Sequence, residues 1–189
     1  MLAALELDAV MVAQTLVSRP MIMGVIVGGL AGAPALGALL GVAIELLSLS
    51  SLPVGGHLSW SGPVAAGVAA LLAGAECSIG VSLAGGVITG ALHSGLEAVE
   101  RRRRSVAGNA LSLGARTDTG LGPAMVKTLA AHAAVTFVLA ASAVVLISAF
   151  DRVCWSRAPE CLQIGAQIAA FCAPWIGLSS VTVRGLRRV

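Results

Sequence analysis

Glu45 is the only charged side chain in the 56 positions from Pro20 to Ala75, and it runs into Ser48 to Ser61, SLSSLPVGGHLSWS. That segment carries five serines, two glycines, a proline and a histidine, with no charge. A carboxylate can accept two hydroxyl donors at once, and charge-assisted hydrogen bonds are about twice as strong as neutral ones. Serine hydroxyls both donate and accept, and glycine lets a backbone approach a ligand closely. Glu45, Gly55, Gly56, His57, Ser59 and Ser61 are therefore the expected substrate-binding residues, and their chemistry suits a polyol. The competing reading is structural. A buried acid is equally satisfied by a helix-to-helix hydrogen bond, to Arg19 or to a partner chain.

Other chemistries find little support. There is no paired carboxylate, no Ser/His/Asp arrangement and no phosphate-cradling GxxxxGK[ST] loop. His57, His93 and His132 are dispersed, and Cys77, Cys154, Cys161 and Cys172 lack metal-ligand spacing. No catalytic residue, metal or cofactor is expected. Cys154 and Cys161 share one predicted external loop, where they either pair in an oxidising compartment or stay free as small apolar residues.

The elements that must position these residues belong to a lipid-soluble chain. Of 189 residues, 57% are hydrophobic and 11% charged, with a mean hydropathy of +0.94; soluble domains carry about 25% charged residues. Uncharged windows recur at Pro20–Ile44, Leu46–Ala75, Cys77–Leu96, Thr128–Phe150 and Cys161–Val183, each near or beyond the ~20 residues that cross a bilayer as helix. An acid at the centre of such a helix costs roughly 2.5–3.5 kcal/mol on insertion scales, so the retention of Glu45 asks for a polar path or partner. A β-barrel is disfavoured, since ten-residue alternation and aromatic girdles are missing. The expected fold is all-α, a polytopic helical membrane protein, and the lack of a basic leader before Val17 argues against a cleaved signal.

Within that frame Leu2 to Val17 reads as an interfacial or short spanning helix ahead of Ser18-Arg19-Pro20. Pro34 splits the Gly-rich run into Met21–Gly32 and Ala35–Leu47, pieces short enough to re-enter the membrane instead of crossing it, with two tilted, tightly packed helices as the other option. Gly24, Gly28 and Gly32, then Gly37 and Gly41, then Gly86 and Gly90 stand four apart and place small residues on one helix face. Gly62–Gly74 and Ile79–Leu96 follow, then a Gly-dotted polar connection, then spans at Ala124–Ala149 and Pro159–Val183, with Pro174 expected to kink the last. Leu30-Ala31-Gly32-Ala33 is faintly echoed in Leu72-Ala73-Gly74-Ala75. The chain is thus one membrane domain: 1–100 with Gly-rich helices and the Pro/Gly/Ser loop, 101–123 a basic connection, 124–183 two spans, 184–189 a basic tail.

Nine of the twelve basic residues sit in two places, Arg101–Arg104 with Arg116 and Lys127, and Arg184, Arg187 and Arg188. Two spans separate these places, so both fall on one side, and the positive-inside rule makes that side the cytoplasm. Glu97→Arg101 and Glu100→Arg104 are expected i,i+4 pairs on a solvated extension. No aromatic residue interleaves with the arginines, which argues against nucleic acid and for lipid headgroups.

Ser18-Arg19-Pro20, the Gly-rich run after it, Gly41-Val42-Ala43-Ile44-Glu45-Leu46-Leu47 and Leu52-Pro53-Val54-Gly55-Gly56-His57 resemble, in that order, the enzyme IIC subunit of the mannose/sorbose family of bacterial sugar phosphotransferase systems. The resemblance is strongest over residues 14–75. It implies a sugar permease subunit of the bacterial inner membrane, oligomeric and paired with a IID membrane subunit. Cytoplasmic IIA and IIB proteins would phosphorylate the hexose-type sugar, so the histidines here need no phosphoryl-carrying role. The family's Pro-Asp pair after the Pro/Gly segment is replaced by Trp60-Ser61, and the chain is shorter than is usual for the family. Those departures define the alternative expectation, a non-transporting scaffold or regulatory relative.

Overall fold

The computed structural model describes residues 18–49, 60–114 and 121–186. Among the described residues every regular element is helical: α1 (Pro20–Leu30), α2 (Pro34–Ser48), α3 (Gly62–Gly74), α4 (Ile79–Gly114), α5 (Leu121–Val153), a single 3₁₀ turn (Trp155–Arg157) and α6 (Glu160–Leu186). The expected helix at Leu2–Val17 and most of the Ser48–Ser61 segment lie outside the described residues.

Each of the three short helices begins with a proline in its first turn, where the missing N–H has no intrahelical partner to lose. Pro34 therefore starts α2 instead of merely interrupting an apolar run. α1 ends in a Schellman turn, with Ala33 N–H donating to Gly28 O at 2.7 Å and Gly32 N–H to Gly29 O at 3.4 Å. Gly32 takes the left-handed conformation that this turn needs, φ 81°. α3 ends the same way, with Cys77 N–H on Leu72 O and Glu76 N–H on Ala73 O. Here Glu76 occupies the left-handed position at φ 61°. The local sequence echo is thus out of step with the structure, because Gly74 is still helical while the turn falls two residues later.

At 11, 15 and 13 residues, these helices measure roughly 16–22 Å at 1.5 Å per residue, short of the ~30 Å hydrocarbon core of a bilayer. They pack through bare backbone. A Cβ on Gly24 would lie 2.2 Å from Gly37 O, and one on Gly37 would lie 2.8 Å from Gly28 Cα. Gly41 sits as closely against Pro20 O, so α1 and α2 form an antiparallel hairpin with no side chain between them at these levels. α3 runs parallel to α1, with Gly62 against Pro20 and Gly74 against Ala31. It is apolar on all sides, and Val64, Ala65, Ala66, Val68, Ala69, Ala70 and Leu72 are fully buried, as expected of a helix without a polar face.

α4 descends along α3 through Gly86, against Ala65 O and Ala69, and Gly90, against Ser61 O and Ala65. α6 closes the other side, with Gly80 of α4 against Ala166 and Gly177 of α6 against Leu46 O. One end of the bundle thus gathers the starts of α1 and α3, the end of α2 and the C-terminal part of α6. α4 continues beyond that end through the arginines as helix to Gly114, where a basic connection was expected.

Among the described residues three stretches are long and apolar enough to cross a membrane: Ile79–Arg103, Val126–Arg157 and Glu160–Ser180. The first is 44% buried within the protein, the other two only 11% and 17%. α5 and α6 consequently turn large side chains outward, among them Phe137, Val145, Leu146, Phe171, Trp175 and Ile176. Pro174 lies inside α6 without ending it.

Gly37→Ala should disrupt the hairpin, because its methyl meets backbone on α1, and overpacking of this kind costs about 1–3 kcal/mol or more. Gly29→Ala should be neutral or stabilise by up to ~1 kcal/mol, since nothing lies within 4 Å of its Cβ position. Thermal unfolding of the two variants in detergent checks the contrast.

Candidate functional site

Glu45 lies on the last turns of α2, at the gathered end. Its Oε2 accepts the N–H of Met21 at 3.1 Å, and its Oε1 lies 3.3 Å from Nη1 of Arg19. Met21 is in the first turn of α1, so the carboxylate satisfies one of the helix's orphan donors and sits at the positive end of its dipole. Arg19, whose side chain is 61% exposed, closes the pair from the solvent-accessible side while Glu45 is 22% exposed. An ion pair this open contributes little, about 0–1 kcal/mol. Its value is in orientation, because it pins the chain entering α1 to the chain leaving α2. Ser48 Oγ and Leu49 N–H both donate to Glu45 O, at 2.7 and 3.2 Å.

Ser61 reaches the same end from the other direction. Its N–H donates to Gly90 O at 3.1 Å, and the next residue, Gly62, abuts Pro20. The structure therefore brings Glu45 and Ser61 to the same end of the bundle, with residues 50–59 between them in sequence. Gly55, Gly56, His57 and Ser59 fall in that connection and lie outside the described residues. An apolar groove of about 300 Å³ opens elsewhere, between α2 and α6, lined by residues such as Leu40, Ala43, Phe171 and Trp175. Its lining is apolar apart from the indole of Trp175, and it contains no carboxylate, hydroxyl or amide side chain.

A second polar cluster was not anticipated. On α4, Thr89, His93, Glu97 and Arg101 recur every four residues, and on α5 His132 and Thr136 do the same, so each set shares a helix face. The two faces meet. His93 Nε2 lies 2.9 Å from Thr136 Oγ1, and His132 Nδ1 lies 2.6 Å from Glu100 Oε2. The imidazole rings stand edge to face with centroids 5.6 Å apart. Both histidines are 1% exposed and Thr136 is fully buried. The expected Glu97–Arg101 pair is present, Nε to Oε1 at 2.8 Å. Glu97 is buried, however, so this is a helix seam and not a solvated face. The side chain of Arg104, expected to pair with Glu100, lies outside the described side chains.

The missed signal was the four-residue recurrence of polar residues inside apolar helices, which reads as a packed interhelical seam. Sequence distance hid the pairing of His93 with His132. The seam holds groups that can take up and pass protons. Its one hydroxyl–imidazole contact, Thr136 with His93, is buried, and among the described residues no three His, Cys, Asp or Glu side chains are grouped to hold a metal ion.

At the opposite end Ser78 Oγ donates to Asp151 Oδ1 at 3.2 Å, tying the start of α4 to the end of α5. Cys77 is buried beside it, and Cys154 and Cys161 are free and exposed, not joined in a disulfide. Comparison with protein-family models, curated proteins and solved structures finds no significant match to this chain.

Burial pushes the Cys77 thiol above its usual range, and the nearby Asp151 carboxylate adds to this while Arg152 opposes it. Because the thiolate is the reactive form, a maleimide at pH 8 should label Cys154 and Cys161 at least about tenfold faster than Cys77. Labelling of Cys77 should still be rising above pH 9, as mass spectrometry of the intact protein would show.

Proposed function

We propose that the chain is a multi-pass protein of the bacterial cytoplasmic membrane and the sugar-translocating subunit of a mannose-type phosphotransferase system. It would act with a IID membrane subunit and with cytoplasmic IIA and IIB proteins that phosphorylate a hexose-type sugar. Membrane embedding is supported by three apolar helices of spanning length and by the outward apolar side chains of α5 and α6. Lipid accommodates such a surface, whereas water does not. If α5 and α6 both cross, Arg101–Arg104 and Arg184, Arg187 and Arg188 share one side, and the positive-inside rule supports that side being the cytoplasm.

The observation that carries the translocation reading is Glu45 at the end of a half-length helix core. An acid, an arginine and the N-termini of α1 and α3 converge there, and α2 hands the chain directly to the uncharged Pro/Gly/Ser segment. Discontinuous helices whose N-termini face a polar group are a recurrent way of building a substrate site at membrane depth. In this reading Glu45 and Ser61, with Gly55, Gly56, His57 and Ser59, hydrogen-bond the sugar hydroxyls, and the sugar competes with Arg19 and Met21 for the carboxylate.

One observation favours the scaffold reading. Both oxygens of Glu45 already have intramolecular partners, which satisfies the acid without any substrate.

Glu45→Gln separates the two. It keeps a carbonyl acceptor for Met21 N–H and removes the charge. With the subunits co-expressed in vesicles, transport predicts that uptake of the phosphorylated sugar falls about 10- to 100-fold, the loss of a charged hydrogen bond, while the complex still assembles. Wild-type-like uptake by Glu45→Gln would refute Glu45 as a sugar ligand. A wild-type complex that assembles but moves no sugar would establish the scaffold.

A further inference from the structure

We propose that the groove between α4 and α5 holds one anionic phospholipid, with an acyl chain along the groove and the phosphate between Arg103 and Lys127. The proposal rests on the membrane embedding of these two helices and not on sugar transport. The groove holds about 380 Å³ and is lined by Leu96 of α4 and by Ala134, Val135, Val138, Leu139 and Ser142 of α5. That volume falls within the roughly 300–1,000 Å³ of ligand clefts. The hydroxyl in this lining, Ser142 Oγ, donates to Leu139 O of its own helix, so the groove presents hydrocarbon to its occupant. An acyl chain fits that surface, whereas a polar ligand would leave its own groups unpaired.

Positive charge lies at one end of the groove. Along α4, Leu92, Leu96, Val99 and Arg103 recur every three or four residues and share one helix face; all four are exposed. Along α5, Lys127, Ala131, Ala134 and Val138 do the same. Seven residues return a helix to within about 20° of the same direction. Arg103 therefore stands two turns beyond Leu96, and Lys127 two turns before Ala134, both on the face that borders the groove. The contacts of His93 with Thr136 and of Glu100 with His132 fix an antiparallel register. Extended by one turn, it sets Lys127 level with Arg103.

The depth suits a headgroup. The apolar stretch of α4 ends at Arg103, and that of α5 begins at Val126, so both cations sit where hydrocarbon gives way to the interface. The neighbouring acids are engaged elsewhere, Glu97 with Arg101 and Glu100 with His132. Arg101 and Arg102 fall on other faces of α4. A phosphate held between a guanidinium and an ammonium gains charge-assisted hydrogen bonds from both. A zwitterionic lipid brings its own cation beside that phosphate, so the pair favours a lipid of net negative charge.

Native mass spectrometry of the full chain released from detergent micelles reads the preference, with phosphatidylglycerol and phosphatidylcholine of identical acyl chains supplied in equal amounts. Each cation near an anionic headgroup is worth about fivefold in affinity, so one phosphatidylglycerol should be retained about 25-fold over phosphatidylcholine. Arg103→Gln with Lys127→Gln should bring the preference below about threefold, while Arg102→Gln should keep it within about twofold of the wild type. Glycerophosphoglycerol, the headgroup without chains, should not displace the lipid. A benzophenone amino acid placed at Val138 should crosslink to lipid in native membranes. The proposal is overturned by equal retention of the two lipids, by a double variant that keeps the preference, or by an equal loss from Arg102→Gln. Displacement by the bare headgroup, or a crosslink from Val138 to protein (a second copy of the chain included), overturns it as well. Carbonate extraction separates the failures: a chain that stays in the bilayer without headgroup preference sinks this site alone, whereas a chain released from it sinks membrane embedding too.

Discussion

Backbone contact through glycine is the constraint on which this architecture depends. Helices in lipid gain little from burying apolar side chains against one another, so close approach and dense packing must supply the attraction. α1, α2 and α3 are too short to be held by length alone, and each reaches its neighbours where a Cβ would collide with main chain. The same device attaches α4 at Gly86 and Gly90, and α6 at Gly177. Without those contacts α3 would have no shell, and the ends of α1, α2 and α3 would not meet at Glu45.

The interhelical polar contacts described above fall where this packing leaves helix ends or seams. Glu45 caps the start of α1 and pairs with Arg19, a use of charge that fixes geometry more than it adds stability. Ser61 is held by Gly90 O, and Gly90 tolerates that approach because it lacks a side chain. One turn beyond Gly90, α4 leaves the short-helix core and meets α5 through histidine, threonine and glutamate. Glu45, Ser61 and the His93–His132 seam therefore lie toward one end, the side of Arg101–Arg104, while the Ser78–Asp151 bond marks the other.

Much of this was legible in the residues. The helical class, the split at Pro34, the bounds Gly62–Gly74 and the start at Ile79 follow from prolines, glycines and uncharged length. The four-residue glycine spacing announced the contacts, although Gly32 serves a turn and not a packing face. The pairing of Glu45 with Arg19 was one of two readings of a solitary acid. Less visible were long-range juxtapositions. His93 and His132 are 39 positions apart and meet only because α4 and α5 pack antiparallel. The helical course of α4 past Arg104 was obscured by Gly108, Gly114 and the run of arginines before them, which resemble the residues of a loop.

The most direct measurement is a solid-state NMR correlation experiment on the chain in lipid bilayers with glycine Cα carbons labelled. The account predicts short-range correlations linking Gly24 and Gly28 of α1 to Gly37 of α2. Helical shifts for both segments with no such correlations would contradict it, because the two helices would then be formed but not joined through their backbones.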